Sequence, residues 1–226
     1  MTITQEELIR MVRVELDRNR LTTPLIHPDE NDPDTLELDD IIRQQMLPAL
    51  RLCLERASVD KLQGAMKKLP ATKGGIYTFT KRKHVYYIDL PEDFLRLGLF
   101  QMADWAYGIT EVITDDDPRA ALLGSDYAGI GGNEEQPYVL LTWNEEGKRI
   151  LVIFASEDGD TASAKALYIA EPQIDENGRI DVPSRIEAAL VSMIAAMTLR
   201  VLQDQTGVTL LEQKAMALLG YNTNNR

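Results

Sequence analysis

Cysteine occurs once, at Cys53. No intramolecular disulfide can form, a zinc site built on several cysteines is excluded, and a reducing compartment is the matching environment. Histidine occurs twice, at His27 and His84, so a Ser–His–Asp or Cys–His catalytic arrangement must draw on one of these two. His27 lies in a proline-rich stretch and His84 closes the cation cluster Lys81-Arg82-Lys83-His84; neither setting is that of an oriented base. Long apolar runs are missing as well. The longest, Ala188 to Leu199, has 12 residues, whereas a membrane-crossing helix needs about 20. No basic segment followed by an apolar one opens the chain, so no signal peptide is expected. Positive charge is scarce: 24 Lys and Arg face 36 Asp and Glu, a net charge of −12. A surface of that sign repels phosphate instead of gripping it.

The familiar catalytic motifs are also absent. There is no G-x-S-x-G, no H-E-x-x-H and no Walker-type phosphate loop. The glycines of AGIGGNEE, Gly129, Gly131 and Gly132, are followed by two glutamates and a proline instead of a helix-opening third glycine, so a flexible loop is the better reading. The acidic DENG segment at Asp175 to Gly178 lacks the alternating carboxylates and the final Glu of a calcium loop. Its Asn-Gly pair is instead a hairpin-turn signal.

What is present is the composition of an ordinary globular protein, 226 residues with 44% hydrophobic and 27% charged side chains, enough for one large domain or two modest ones. The chain begins with a capping box, Thr4 to Glu7, ahead of Leu8, Ile9, Val12 and Leu16 on one helical face. The acidic, proline-containing stretch 24–37 reads as a solvated connection or an arm that orders against a neighbour. Asp39 or Asp40 is placed to cap a second helix, with Ile42, Met46, Ala49, Leu50, Cys53 and Ala57 on its apolar stripe and a kink or break expected at Pro48. Cys53 within that stripe is a structural thiol. After Pro70 the period changes to strands: IYTFT and VYYIDL, then Phe94 to Phe100, Tyr138 to Trp143, Ile150 to Phe154 and Ala166 to Ala170. Past Asp181 it returns to helical. Ile186, Leu190, Met193, Ile194, Met197 and Val201 form a stripe whose opposite side is alanine-rich, so this helix needs enclosure by the domain core or by another subunit. Gly207 is expected to separate it from a last helix, Leu210 to Leu219.

This order predicts an α+β fold: a helical unit made from residues 1–70 and 181–226, with an antiparallel β-rich unit, 71–180, inserted between them. The acidity belongs mainly to the insert, which holds 10 basic and 19 acidic groups, against 10 and 13 in residues 1–70 and four of each in 181–226.

Carboxylates are the remaining candidates for chemistry. In YYIDLPEDFLRLGLFQMADWAYGI, Asp89, Glu92, Asp93, Arg96 and Asp104 stand among large apolar residues. Leu90-Pro91-Glu92-Asp93 reads as a turn with Pro91 at its second position, leading into a strand through Phe94, Leu95, Leu97 and Leu99. Trp105 and Tyr107 beyond it suit a core edge or an interface anchor. The run Asp115, Asp116, Asp117, with Glu111, offers oxygen ligands for a hard cation, or an N-terminal cap for a short helix begun at Pro118. The Lys81 to His84 patch suits DNA phosphate, an acidic partner or plain solvation. No residue is assigned as catalytic, cofactor-binding or metal-binding.

The run YYIDLPEDFLRLGLFQMADW, followed by ITEVITDDDP, the YAGIGGN loop and a strand-rich segment, resembles bacteriophage head-to-tail connector proteins. The likeness is greatest to adaptor or ring proteins of short-tailed phages, including crAss-like phages of gut Bacteroides. It extends over roughly residues 36–220. Leu90 to Leu97 and Asp104-Trp105 are its most specific part, and IIRQQMLPALRLCLERA resembles the family's first core helix, with its Leu47-Pro48 pair. The arm at 24–37 has no counterpart in that pattern. The resemblance implies a non-enzymatic virion protein of the neck or tail, assembled in the host cytoplasm, with no cofactor and no membrane partner. Such proteins form rings, usually dodecamers, that join the portal protein to the next tail or ring protein. They extend the channel through which DNA passes without specific binding. On that reading Phe94, Arg96, Leu97, Trp105, Tyr107, Met193 and Met197 serve interfaces or packing. Two rival readings stand beside it: a metal-dependent hydrolase using Asp115 to Asp117 with Glu111, and an assembly factor absent from the finished particle.

Overall fold

The chain opens with a short strand, Thr2–Thr4 (β1), that runs directly into a helix, Gln5–Asn19 (α1). The capping box is formed: the Glu7 amide donates to Thr4 Oγ1 at 3.2 Å and the Thr4 amide to Glu7 Oε2 at 3.1 Å. The backbone bond and then the hydroxyl bond from Thr4 hold the Glu7 carboxyl below the usual carboxylate range. A computed structural model describes residues 1–19, 33–69, 77–78, 85–103, 105–121, 123, 135–154 and 163–220. His27, most of the proline-rich arm, Lys81 to His84, Asp104 and the glycines of AGIGGNEE lie outside the described residues.

The second helix, Pro33–Arg56 (α2), starts earlier than its expected cap at Asp39 or Asp40. Proline lacks the N–H that a first helical position leaves unused, and its fixed φ suits the helix, so Pro33 is a competent start. Asp39 is not a cap; it is buried and paired with Arg13 on α1. Nor does Pro48 break the helix, which continues to Arg56. Its missing hydrogen bond is offset by the burial of Met46, Ala49, Leu50 and Cys53, each fully covered. Cys53 packs in that stripe, and burial pushes its thiol pKa up to about 12.

A short helix, Val59–Leu62 (α3), and one 3-10 turn, Gln63–Ala65, follow. The chain returns to this unit at Glu171, completing it with Glu187–Val201 (α4) and Gln205–Leu219 (α5). Helix α4 is the centre, with α1, α2 and α5 packed around it. Most of its apolar perimeter is covered within this unit: Leu190, Met193, Ile194, Ala195 and Ala196 are fully buried and Met197 is half-buried, while Val201 at its end is exposed. The α4–α5 break lies ahead of its expected position at Gly207. Gln203 takes a left-handed φ of 62° and Asp204 caps α5 by accepting from the Gly207 amide at 3.1 Å. Gly207 instead lets the helices approach, since a Cβ there would collide with Leu199.

The strand Arg179–Asp181 (β10) pairs antiparallel with β1, Ile3 opposite Ile180. Asp175 to Gly178 forms the turn ahead of it, with Gly178 at a φ of 69°. This pairing, together with an ion pair of 3.2 Å between Arg51 and Glu171, draws residues 171–180 into the helical unit. The compact units are thus Met1–Ala65 with Glu171–Arg226, and Met66–Ala170, bounds that differ from the expected 70 and 181.

Among the described residues the inserted unit has two sheets. One has the order β2-β9-β5, from Met66–Lys68 (β2), Ser163–Ala170 (β9) and Phe94–Met102 (β5). The other has the order β3-β4-β8-β7-β6, from Tyr77–Thr78 (β3), Val85–Asp89 (β4), Ile113–Thr114 (β6), Tyr138–Trp143 (β7) and Arg149–Phe154 (β8). Every pair is antiparallel except β6 with β7. The main core gathers Phe94, Leu97, Phe100, Met102 and Tyr168 from the first sheet with Ile88, Val139, Leu151 and Ile153 from the second. Ile150, Val152 and Phe154 face the other way and pack with Ile113, Leu123 and Ala120. The central strand β8 is therefore covered on both faces, which is why it reads as one continuous apolar run.

Candidate functional site

The carboxylate-bearing turn between β4 and β5 is the strongest site candidate in the sequence. Its closing bond runs from the Phe94 amide to the Pro91 carbonyl at 3.0 Å, so Glu92 and Asp93 occupy the corner. Pro91 stands first in the turn, one place earlier than expected. The Leu90 amide donates to the Arg149 carbonyl at 3.1 Å and fixes the entry.

The turn points Asp93 at two side chains distant in sequence. Its Oδ1 accepts from the Tyr168 hydroxyl at 2.9 Å, and its Oδ2 from Lys67 Nζ at 2.9 Å. Tyr168 is buried on β9 and stacks on Phe94, ring centroids 5.9 Å apart and 17° from parallel. The Arg149 guanidinium lies 5.6 Å from the Phe94 centroid on β8. Partial burial works against the Asp93 charge, but the Lys67 and Tyr168 hydrogen bonds together outweigh it and hold the carboxyl below its usual range. Desolvation, then the bond to Asp93, pushes the Tyr168 hydroxyl up. The bond that Lys67 donates to Asp93 raises its own ammonium pKa.

These shifts define the chemistry. A general base works best with a pKa near the operating pH, and so does a general acid. Here the carboxylate is moved further down and the phenol further up, so both drift away from neutral pH. The hydrogen bonds from Lys67 on β2 and Tyr168 on β9 tie both strands to the turn that opens β5.

The other predicted residues separate. Leu97 and Trp105 join Phe94 in the core, and Trp105 meets Phe100 edge to face at 5.5 Å and 72°. Tyr107 is half exposed, at 50%. Arg96 is half-buried on β5. Met193 and Met197 belong to α4 in the other unit.

The aspartate run does not converge. Asp115 accepts from the Thr142 hydroxyl at 2.8 Å and Asp116 from that of Thr114. Asp117 caps the 3-10 turn Pro118–Ala121, accepting from the Arg119 amide at 2.9 Å and from its guanidinium at 2.6 Å. That pairing with Arg119 lowers the Asp117 pKa. Among the described residues no group of three or more His, Cys, Asp and Glu is placed to hold a metal ion. Among the same residues no helix is long and apolar enough to cross a membrane. Comparison with protein-family models and with curated proteins found no match for the chain.

Sequence reasoning missed Lys67, Tyr168 and Arg149 as the partners of this turn. One signal was available: alternation along β9 puts Ala166, Tyr168 and Ala170 on one face, and all three pack against the core. It also missed the polar groups inside the helical unit. Arg13 donates from Nε to Asp39 at 2.8 Å, and the buried Glu15 accepts from Ser192 at 3.1 Å and from Lys214.

Proposed function

We propose that this chain is a structural subunit of a phage head-to-tail connector: a homo-oligomeric ring, usually a dodecamer in such proteins, between the portal protein and the next tail or ring protein. It acts in the neck or tail of the virion and performs no catalysis. The single observation that carries the proposal is the state of the LPEDFLRL segment, the most family-like stretch. Its Asp93 carboxylate is committed to bracing two strands, with its pKa and that of Tyr168 displaced away from proton transfer. Two further features support the same reading. Both chain ends build one helical unit and the acidic unit is carried between them, which suits a part that packs beside copies of itself while reaching neighbours along an axis. The excess of acids over bases in residues 71–180 suits a channel wall on which DNA must not stick, since repulsion prevents the phosphate contacts that counterion release would otherwise drive.

The test is reconstitution with a portal ring from the same genome, read by native mass spectrometry and electron microscopy. A ring of this chain seated on the portal is expected. Persistence as a 25.4 kDa monomer with assembled portal present sinks the proposal. Proteomics of purified virions separates a connector, which is retained, from an assembly factor, which is lost.

A further inference from the structure

The turn that precedes β10 contains the one Asn-Gly pair in the sequence, Asn177-Gly178. Three features single it out chemically. Asn177 is exposed. A Cβ built on Gly178 would meet nothing within 4 Å, so the space beside the Asn177–Gly178 peptide is open. The turn is also a junction: Gly178 O accepts from the amide of Gln5, the first residue of α1, at 3.1 Å, and Arg179 begins the strand paired with Thr4. Asn144 at the tip of the β7–β8 connection is the contrast. Its side-chain oxygen accepts from the Glu146 and Lys148 amides, both at 2.9 Å, and the residue after it is Glu145.

We propose that Asn177 is a site of non-enzymatic deamidation, and that its conversion loosens the β1–β10 pair and the first turn of α1. The Gly178 backbone nitrogen gives up its proton to base and attacks the Asn177 side-chain Cγ. The new C–N bond closes a five-membered succinimide as the Cγ–Nδ2 bond breaks, and ammonia leaves carrying the returned proton. Water then adds to either ring carbonyl and opens the ring to aspartate or to isoaspartate, whose main chain runs through Cβ and Cγ. No oxidant, metal or enzyme is required.

The hydrogen bonds in place set how the reaction proceeds. The Gly178 amide donates to the Asp175 carbonyl at 3.0 Å, so the turn must open briefly before the nitrogen can attack. The Asn177 and Arg179 amides also donate to Asp175 Oδ1, at 2.8 and 2.7 Å. The extra backbone atom of isoaspartate at 177 cannot keep all these bonds, and Gly178 O is displaced from Gln5. Either product also adds a negative charge beside Asp175, Glu176 and Asp181.

The experiment uses the folded full-length chain held at mildly alkaline pH, sampled over time by peptide mapping that resolves aspartate from isoaspartate. The acid forms are expected at Asn177 well before Asn144, and are lost in Gly178→Ala and in Asn177→Gln, which keeps the glycine. Deamidation at Asn177 no faster than at Asn144 overturns the site. Hydrogen exchange on the isolated modified protein tests the coupling: faster exchange at Gln5 and Arg179 is expected, and unchanged exchange there overturns it.

Discussion

Replacing Asp93 by alanine tests the brace directly. Tyr168 is 5% exposed, so its hydroxyl loses its carboxylate partner where water has little access. Leaving a buried polar group unpaired costs about 1–3 kcal/mol. The Lys67 pair adds little, because Lys67 is 59% exposed and a pair of that kind contributes about 0.2–1 kcal/mol. The expected loss is about 2 kcal/mol, carried by the unit Met66–Ala170. Urea unfolding followed by tryptophan fluorescence reads it, since Trp105 is buried in that unit. The double variant with Tyr168→Phe gives the sharper result. Removing the hydroxyl along with the carboxylate removes the unpaired group, so the double variant should be more stable than the sum of the two single losses predicts. The pH dependence has a fixed sign. The Asp93 carboxyl is lowered from the ordinary 3.8, so its stabilisation is present above that value and is lost as pH falls through the lowered one. Asp93→Ala should flatten the acid limb of the stability profile. Additive single losses, together with an unchanged acid limb, would refute the reasoning.

Cys53 should ignore a thiol reagent at neutral pH until the chain unfolds, because burial both shields it and pushes its pKa to about 12; rapid labelling of the native protein contradicts this. Gly98→Val should cost about 1–3 kcal/mol of overpacking, because a Cβ there meets Met66 Sδ at 3.1 Å and the Leu167 carbonyl oxygen at 3.2 Å; an unchanged urea midpoint would show that β5 has slack at this point. Trp105→Ala should cost about 3–5 kcal/mol through its lost core packing, and a melting temperature equal to that of the wild type would be the wrong outcome. On the proposed connector reading, Tyr107→Ala should leave the melting temperature alone but weaken ring assembly on the portal, since this side chain is half exposed; unaltered assembly removes it from the proposed interface.

Elements stabilised by neighbours in sequence were legible, and those stabilised across the chain were not. The α1 capping box needs only Thr4 and Glu7, and the buried run of β8 declares itself residue by residue. The α+β order follows from where the period changes. Strand β5 was legible as a strand, Phe94 to Phe100 against the observed Phe94–Met102, but its faces were not. Its pairing with β9 shifts register between Phe94 and Arg96, between Leu97 and Leu99, and between Gln101 and Met102. Its buried large side chains, Phe94, Leu97, Phe100 and Met102, therefore keep neither a strand nor a helix period. The two- and three-residue strands have too few side chains to carry a pattern, and β1 finds β10 only once the chain has folded back.

The same distinction explains why the site looked catalytic in one dimension. Asp89, Glu92 and Asp93 are crowded in sequence, but a turn sends neighbouring side chains in different directions. Asp93 is the member whose carboxylate reaches Lys67 and Tyr168. What decides its role is the chemistry of those partners: a lysine and a phenol stabilise the anion and move it away from the pKa a base needs. A histidine at the position of Tyr168 would have made an acid–base pair of the same geometry. The phenol, stacked on Phe94, makes it a clamp that couples the turn to the core. Tyr168→His is thus the substitution that separates geometry from chemistry. It should give a folded protein in which the acid limb set by Asp93 is joined by a second step: pairing with Asp93 raises the imidazole pKa, so its stabilisation is present below the ordinary value of about 6.5 and is lost as pH rises through the raised one. A stability profile without that second step would mean that residue 168 does not depend on Asp93 at all.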